Sequence, residues 1–296
     1  MDDERAALEP LKPDTRRMEL HAAEIRLNVM GMIIGKAKGH SGGALSMVEI
    51  LTALYFAVMR LDPKNPRHPE RDRFLLSKGH ACTALYATLA QRGYFPVSTL
   101  DTYYDLNSTL GGHPVQGLPG VELATGSLGH GPPVGLGIAV AAKMDGRKHR
   151  VFVLVGDGEI QEGVVWESAL FAAHHRLDNF VMIIDRNGLQ SDARTEELLA
   201  IEPIEGKFSS FGWACRSVDG HDLEGLSAAL GSVPFQAGKP SLLIANTVKG
   251  KGVDFIENAI PYHNIGPLPG TEDARRAFAQ LERRRDELIR EVGDEA

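Results

Sequence analysis

Apolar residues recur three and four positions apart over residues 16–34 and again over 46–59, so both stretches are predicted to be helices with one face turned to a core. Ser46 stands where an N-cap would, and Glu49 three positions later reads as its capping-box partner. The glycine-rich stretch 39–43 between the two helices reads as a hinge, and further helices are predicted over 80–92 and, after the glycine-rich 126–131, over 132–143. The pattern then changes. Residues 151–155 are a continuous apolar run, 163–175 return to helical spacing, and 180–185 are again an apolar run, which is a β-α-β unit. Two more strand candidates, 214–218 and 241–247, flank a helix near 223–230. This alternation predicts an α/β fold built on a parallel sheet. In the tail, 271–292, Phe278, Leu281, Leu288, Ile289 and Val292 lie among many charges, as in a surface helix that docks by one stripe. With no internal repeat or low-complexity linker, the chain reads as a single domain over 1–296, with 1–15 as an N-terminal extension and 271–296 as a C-terminal helix.

Composition narrows the function classes. A chain of 296 residues with 43% hydrophobic content can bury a sizeable core. Its formal charge of -7 is the wrong sign for displacing counterions from nucleic-acid phosphates, so no nucleic-acid partner is expected. Cys82 and Cys215 are far apart and form neither a disulfide framework nor a zinc spacing, which fits reduced thiols in a cytoplasmic protein. Residues 1–17 lack the apolar stretch of a signal peptide, and no apolar run approaches the roughly 20 residues of a membrane helix. No membrane partner is expected either.

Candidate chemistry lies where strands of a parallel sheet give way to loops. Gly156-Asp157-Gly158 follows the 151–155 run, but the next glycine is Gly163, so the spacing fails the dinucleotide fingerprint. Asp157 is the telling residue, because a carboxylate beside a pyrophosphate is repulsive unless a divalent cation lies between them. Magnesium takes oxygen ligands, and Asn187, placed after the next strand with 28 residues between it and Gly158, supplies a second oxygen. The Leu189 carbonyl could supply a third. The glycines leave backbone N–H groups for the diphosphate at a helix N-terminus.

Gly-Asp-Gly followed at this interval by Asn resembles the thiamine diphosphate motif. Further segments resemble the transketolases over about 25–266: Gly39-His40-Ser41-Gly42-Gly43, the run from Arg73 to Ala81, Gly112-His113-Pro114, Thr125-Gly126-Ser127-Leu128-Gly129 and Lys249-Gly250-Lys251-Gly252. The resemblance implies a parallel-sheet thiamine diphosphate-binding (PP) domain with helices on both faces. It implies that Gly126, Ser127 and Leu128 lie against the cofactor, that Gly156, Gly158 and Glu159 belong to the diphosphate loop, and that Asp157, Asn187 and the Leu189 carbonyl hold Mg2+. By the same motifs His40, His80, His113 and His263 are the active-site histidines, with His80 and His263 also touching the cofactor. His263 is followed by Asn264 where the family usually has glycine.

The implied reaction moves a two-carbon ketol unit from a ketose phosphate donor to an aldose acceptor. Histidines suit it, since hydroxyls must gain and lose protons near neutral pH. His40 and His263 are expected at donor hydroxyls, and His80 and His113 near the forming alkoxide. Glu162 and Glu167 resemble residues at the interface between subunits, or else serve as acids in a first helical turn. His174 and His175 are explained by a helix C-terminus. In the family a glutamate on a second, pyrimidine-binding domain activates the cofactor, and this chain ends before that domain would begin. A separate C-terminal subunit in an α2β2 assembly is therefore expected, with sugar phosphates as small-molecule substrates. The rivals are a deoxyxylulose-phosphate synthase, which usually carries Gly-His-Gln where this chain has Gly79-His80-Ala81, a nicotinamide dehydrogenase, and a non-catalytic orphan subunit.

Overall fold

The computed structural model describes residues 8–293. Five strands form one parallel sheet: β1 (Arg73–Leu76), β2 (Val151–Gly156), β3 (Phe180–Arg186), β4 (Ala214–Asp219) and β5 (Ser241–Asn246), in the spatial order β1-β2-β3-β5-β4. The central strands are apolar without interruption because both of their faces are covered. Alternate residues feed two cores. Phe152, Leu154, Val181, Ile183 and Leu243 pack on one side, and Val151, Val153, Met182, Ile184 and Leu242 on the other. Edge strand β4 is mostly polar and part-exposed, which discourages pairing with another chain.

The first face carries α1 (Thr15–Lys36), α2 (Ser41–Ser46), α3 (Val48–Ala53), α4 (Cys82–Arg92), α9 (Leu223–Gly231) and α10 (Glu272–Gly293); a π-turn, Leu54–Val58, continues α3. α5 (Gly131–Met144), α6 (Gly163–His174) and α8 (Ile204–Ser210) cover the second, and α7 (Thr195–Leu198) is a single turn in the loop after β3. α1 starts where Asp14 accepts a hydrogen bond from the Arg17 N–H, and it buries Ile25, Val29, Met30 and Ile33. Full burial of each such side chain contributes about 1.5–3 kcal/mol.

The α/β class, the parallel sheet and the helices on both faces agree with expectation. Three local readings do not. Residues 39–43 are not a hinge, because α2 begins at Ser41 with His40 as its N-cap. Ser46 is not an N-cap either: it ends α2, and its hydroxyl donates to the Gly43 carbonyl and to Asp185 Oδ2 at 2.6 Å. Glu49 is buried and pairs with Arg26 and His221 rather than with a helix terminus. A capping-box spacing was imitated by two polar residues whose side-chain partners lie 23 to 172 positions away. β1 was also missed, being four residues long and concealed in the Arg73-to-Ala81 segment.

α10 buries Leu281 and Leu288, whereas Ile289, expected on the same stripe, is 48% exposed. Of the expected extension 1–15 and C-terminal helix 271–296, residues 1–7 and 294–296 lie outside the described residues. Among the described residues no helix is long and apolar enough to cross a membrane.

Candidate active site at the carboxyl end of the sheet

β2 and β3 are neighbours in register, with Gly156 opposite Asp185, so the loops that follow them leave the sheet side by side. Asp157 is 2% exposed. Its Oδ2 accepts from Arg186 Nη1 at 2.9 Å, from the Gly188 N–H at 2.7 Å and from Thr195 Oγ1 at 3.2 Å, while Oδ1 accepts only from the Gly158 N–H at 2.8 Å. Asn187 is oriented by its amide N–H bond to Asp185 Oδ2 at 3.0 Å; its Oδ1 takes the Leu189 N–H at 3.2 Å. Gly188, at φ 76°, supplies the left-handed turn that brings the Leu189 carbonyl round.

Among the described residues no three His, Cys, Asp or Glu side chains gather as a metal centre. The donors here are instead one carboxylate, one amide oxygen and one carbonyl. That all-oxygen set suits a hard cation that keeps several ligands from water or phosphate.

These residues line a cavity of about 300 Å³ together with His40, His80, His113 and His263. The ring centroids of His40 and His80 are 5.0 Å apart, and each lies 5.9 Å from that of His263. His113 is exposed and lines the same cavity beside Gly126. Burial lowers the pKa of His40, and the neighbouring His113 and Lys249 reinforce the shift. Burial, then Lys78, puts His80 well below the ordinary histidine value. His263 is lowered to about 4 by burial and by Lys249. Three of the four histidines are thus neutral at pH 7, able to accept a proton as well as donate one.

Two lysines complete the cluster, and sequence reasoning assigned neither. Lys249, 3% exposed, donates to the Leu189 carbonyl at 2.7 Å and to His263 Nδ1 at 2.6 Å. An ammonium has no lone pair to accept with, so Nδ1 is the acceptor and Nε2 carries the His263 proton. Burial, then Lys78, lowers the Lys249 pKa to about 8. Lys78 is buried, donates to the Gly43 carbonyl at 2.7 Å and forms an ion pair with Asp185. Asp185 also accepts from Ser46, Asn187 and Thr247, and although burial raises its pKa, Lys78 and these hydroxyls hold it below the ordinary value. Both lysines stood in quoted segments; the available signal was a cation shortly after a strand end, Lys78 following β1 (Arg73–Leu76) and Lys249 following β5 (Ser241–Asn246).

Other expected residues take different places. Glu159 lines the cavity, but its carboxylate is held by the Ser77 hydroxyl and by the N–H groups of Gly129 at 2.8 Å and Gly156 at 2.9 Å, so it ties three loops together. Gly158 packs under Gln190, whose Cγ would lie 2.9 Å from an added Cβ. Gly126 and Leu128 line the cavity; Ser127 is exposed and does not. Glu162 and Glu167 are exposed at the start of α6, and the Glu162 side chain makes no cap bond. A larger hollow of about 660 Å³ lies at the opposite end of the sheet, where Arg60 and Arg150 are already paired with Asp72 and Lys143 with Asp178.

Residues 18–277 match the family described as transketolase, thiamine diphosphate binding domain. The chain is 39% identical to one of the subunits of the apulose-4-phosphate transketolase of Phocaeicola vulgatus, over 93% of this chain and 97% of that protein. It is 43% identical to a 6-deoxy-6-sulfo-D-fructose transketolase subunit of a Clostridium strain, over 84% and 91% of the two chains. Human transketolase is 36% identical over 87% of this chain, which spans 41% of the human protein. Among solved structures, transketolase from Campylobacter jejuni superposes with a TM-score of 0.83 at 29% identity, covering 93% of this chain and 46% of that one.

Proposed function

The chain belongs to the transketolase family as its thiamine diphosphate-binding domain, and from that premise we propose that it is the diphosphate-binding subunit of a two-chain transketolase, holding Mg2+ through Asp157, Asn187 and the Leu189 carbonyl. The observation that carries this reading is the meeting of those three oxygens with the histidine cluster in one cavity at the carboxyl end of β2 and β3. Thiamine diphosphate, when bound, supplies the carbon centre and electron sink for transfer of a two-carbon ketol unit from a ketose phosphate to an aldose.

The chain's own residues do the rest. Backbone N–H groups of the loop at Gly158 would hold the diphosphate, and the cation would offset the charge of Asp157 beside it. His40 and His263 serve donor hydroxyls, while His80 and His113 serve the carbonyl oxygen as it gains and loses a proton. Lys249 presents His263 with Nε2 protonated, ready to donate. A separate pyrimidine-binding chain completes the site in an α2β2 assembly; support comes from the two relatives named as transketolase subunits and matched over 97% and 91% of their length. A cytoplasmic location is proposed on the two free cysteines, Cys82 and Cys215.

Calorimetry on the assembled complex tests the cation site. Thiamine diphosphate with Mg2+ is expected to bind the wild type, and the double variant D157A/N187A is expected to lose that binding. Undiminished binding by the double variant would refute the assignment.

A further inference from the structure

Arg186 ends β3 and immediately precedes Asn187. Its side chain is 13% exposed, and its guanidinium meets three carboxylates through three different nitrogens: Nη1 to Asp157 Oδ2 at 2.9 Å, Nη2 to Glu196 Oε1 at 2.7 Å, and Nε to Glu202 Oε1 at 3.2 Å. The two glutamates do not end there. Glu196 Oε2 accepts from the Ile201 N–H at 3.2 Å, and Glu202 Oε2 from the Ile204 N–H at 2.9 Å. The segment 188–202 is therefore stitched to Arg186 at two points along its length. At its start the Gly188 N–H bonds Asp157, and the Gly188 carbonyl takes the Thr195 N–H at 2.9 Å. Leu189, whose carbonyl is a proposed cation ligand, lies on this strap.

The geometry has two consequences. Among the described residues, Asp157 Oδ2 receives three donors, whereas Oδ1 has its neighbour's N–H alone and keeps a lone pair for the cavity. Second, one side chain touches both the carboxylate ligand and the strap that carries the carbonyl ligand. Building on the cation site proposed above, we propose that Arg186 is a positioning residue: it holds Asp157 as a one-oxygen ligand and fastens residues 188–202 beside the cation. The planar five-donor fork suits a three-carboxylate junction that a lysine's single ammonium cannot span.

The test uses the full chain assembled with thiamine diphosphate and its partner subunit, titrated with Mg2+ by calorimetry, with amide hydrogen exchange read over 188–202. In the wild type, Mg2+ is expected to slow exchange in that segment. R186M is expected to weaken Mg2+ binding by about 10- to 100-fold, the usual effect of removing a group that orients a metal ligand, and to abolish the Mg2+-dependent protection. R186K should recover part of the affinity. E196Q/E202Q, which leaves the Asp157 contact in place, should raise exchange in 188–202 with a smaller loss of affinity.

Exchange across β2 and β5 reports whether each variant is folded. Wild-type Mg2+ affinity and protection in R186M would overturn the proposal; so would tighter binding, which would mark the guanidinium as a charge that merely repels the cation. If R186M does not fold, R186K and E196Q/E202Q both behaving as wild type overturn it. Absence of Mg2+ binding by the wild-type complex refutes the functional reading itself, and this inference falls with it.

Discussion

Lys249 and His263 form a part-buried pair in which an ammonium donates both to an imidazole and to a carbonyl proposed as a cation ligand. Replacing Lys249 by Met removes the donor that fixes the His263 tautomer, so the assembled enzyme is expected to lose at least about 10-fold in kcat, the scale of one misplaced acid–base group. Steady-state kinetics at saturating cofactor check this, and an unchanged kcat would exclude the role. The pair also sets a pH dependence. His263 titrates near 4 in the folded chain against an ordinary 6.5. Between those values the unfolded chain binds more protons, so stability falls as pH is lowered through that window and is unaffected by this group above it. Urea midpoints at pH 7 and pH 4.5 should show a smaller acid loss for H263Q than for the wild type. Asp157 and Asn187 were picked out in sequence because a cation beside a phosphate would dictate residue type and spacing together, and the structure brings the two to one cavity. Lys249 and Lys78 were not assigned a role, since the burial of a lysine depends on partners such as Leu189 and Asp185, 60 and 107 positions away.

Packing of α5 on the sheet separates two glycines that look equivalent in sequence. A Cβ on Gly135 would lie 2.6 Å from Val153 Cγ2 and 3.0 Å from Phe180 Cε2, both on fully buried strands that have nowhere to move. A Cβ on Gly137 would meet nothing within 4 Å. Alanine gains about 1 kcal/mol over glycine inside a helix, whereas forcing a methyl into a close-packed core costs about 1–3 kcal/mol. G137A should therefore raise the stability of the isolated chain by about 0.5–1 kcal/mol, and G135A should lower it by about 1 kcal/mol. Chemical denaturation of both variants decides; equal shifts would contradict the packing described. At this scale β2, β3 and β5 were readable because strands buried on both faces carry continuous apolar runs. Ser46 and Glu49 were misread because local spacing carries no record of Asp185, Arg26 or His221, which hold them instead.

Across the whole molecule, both faces of the central strands are covered, but the helices over the second face leave apolar side chains on their outer side. α5 and α6 bury Leu136, Ala139, Val165 and Ala169 against β2 and β3, yet they also present Val134 at 39%, Phe171 at 44% and Leu170 at 59% exposure. A helix that is apolar all round is normally buried all round, so exposed large apolar side chains on two neighbouring helices suggest an association site. α6 also follows directly on the loop after β2, with the exposed Glu162 and Glu167 at its start. The sequence showed that both helices were apolar; it could not show which face stayed uncovered, because that depends on how they lie on the sheet. The double variant L170D/F171D should leave the denaturation midpoint of the isolated chain nearly unchanged, since exposed substitutions typically shift stability by less than about 0.5 kcal/mol. The same variant should fail to co-elute with its partner subunit in size-exclusion chromatography and should show no ketol transfer on mixing. Co-elution at the wild-type volume with full activity would move the interface elsewhere, and would leave the exposed α5–α6 surface without a role in completing the site.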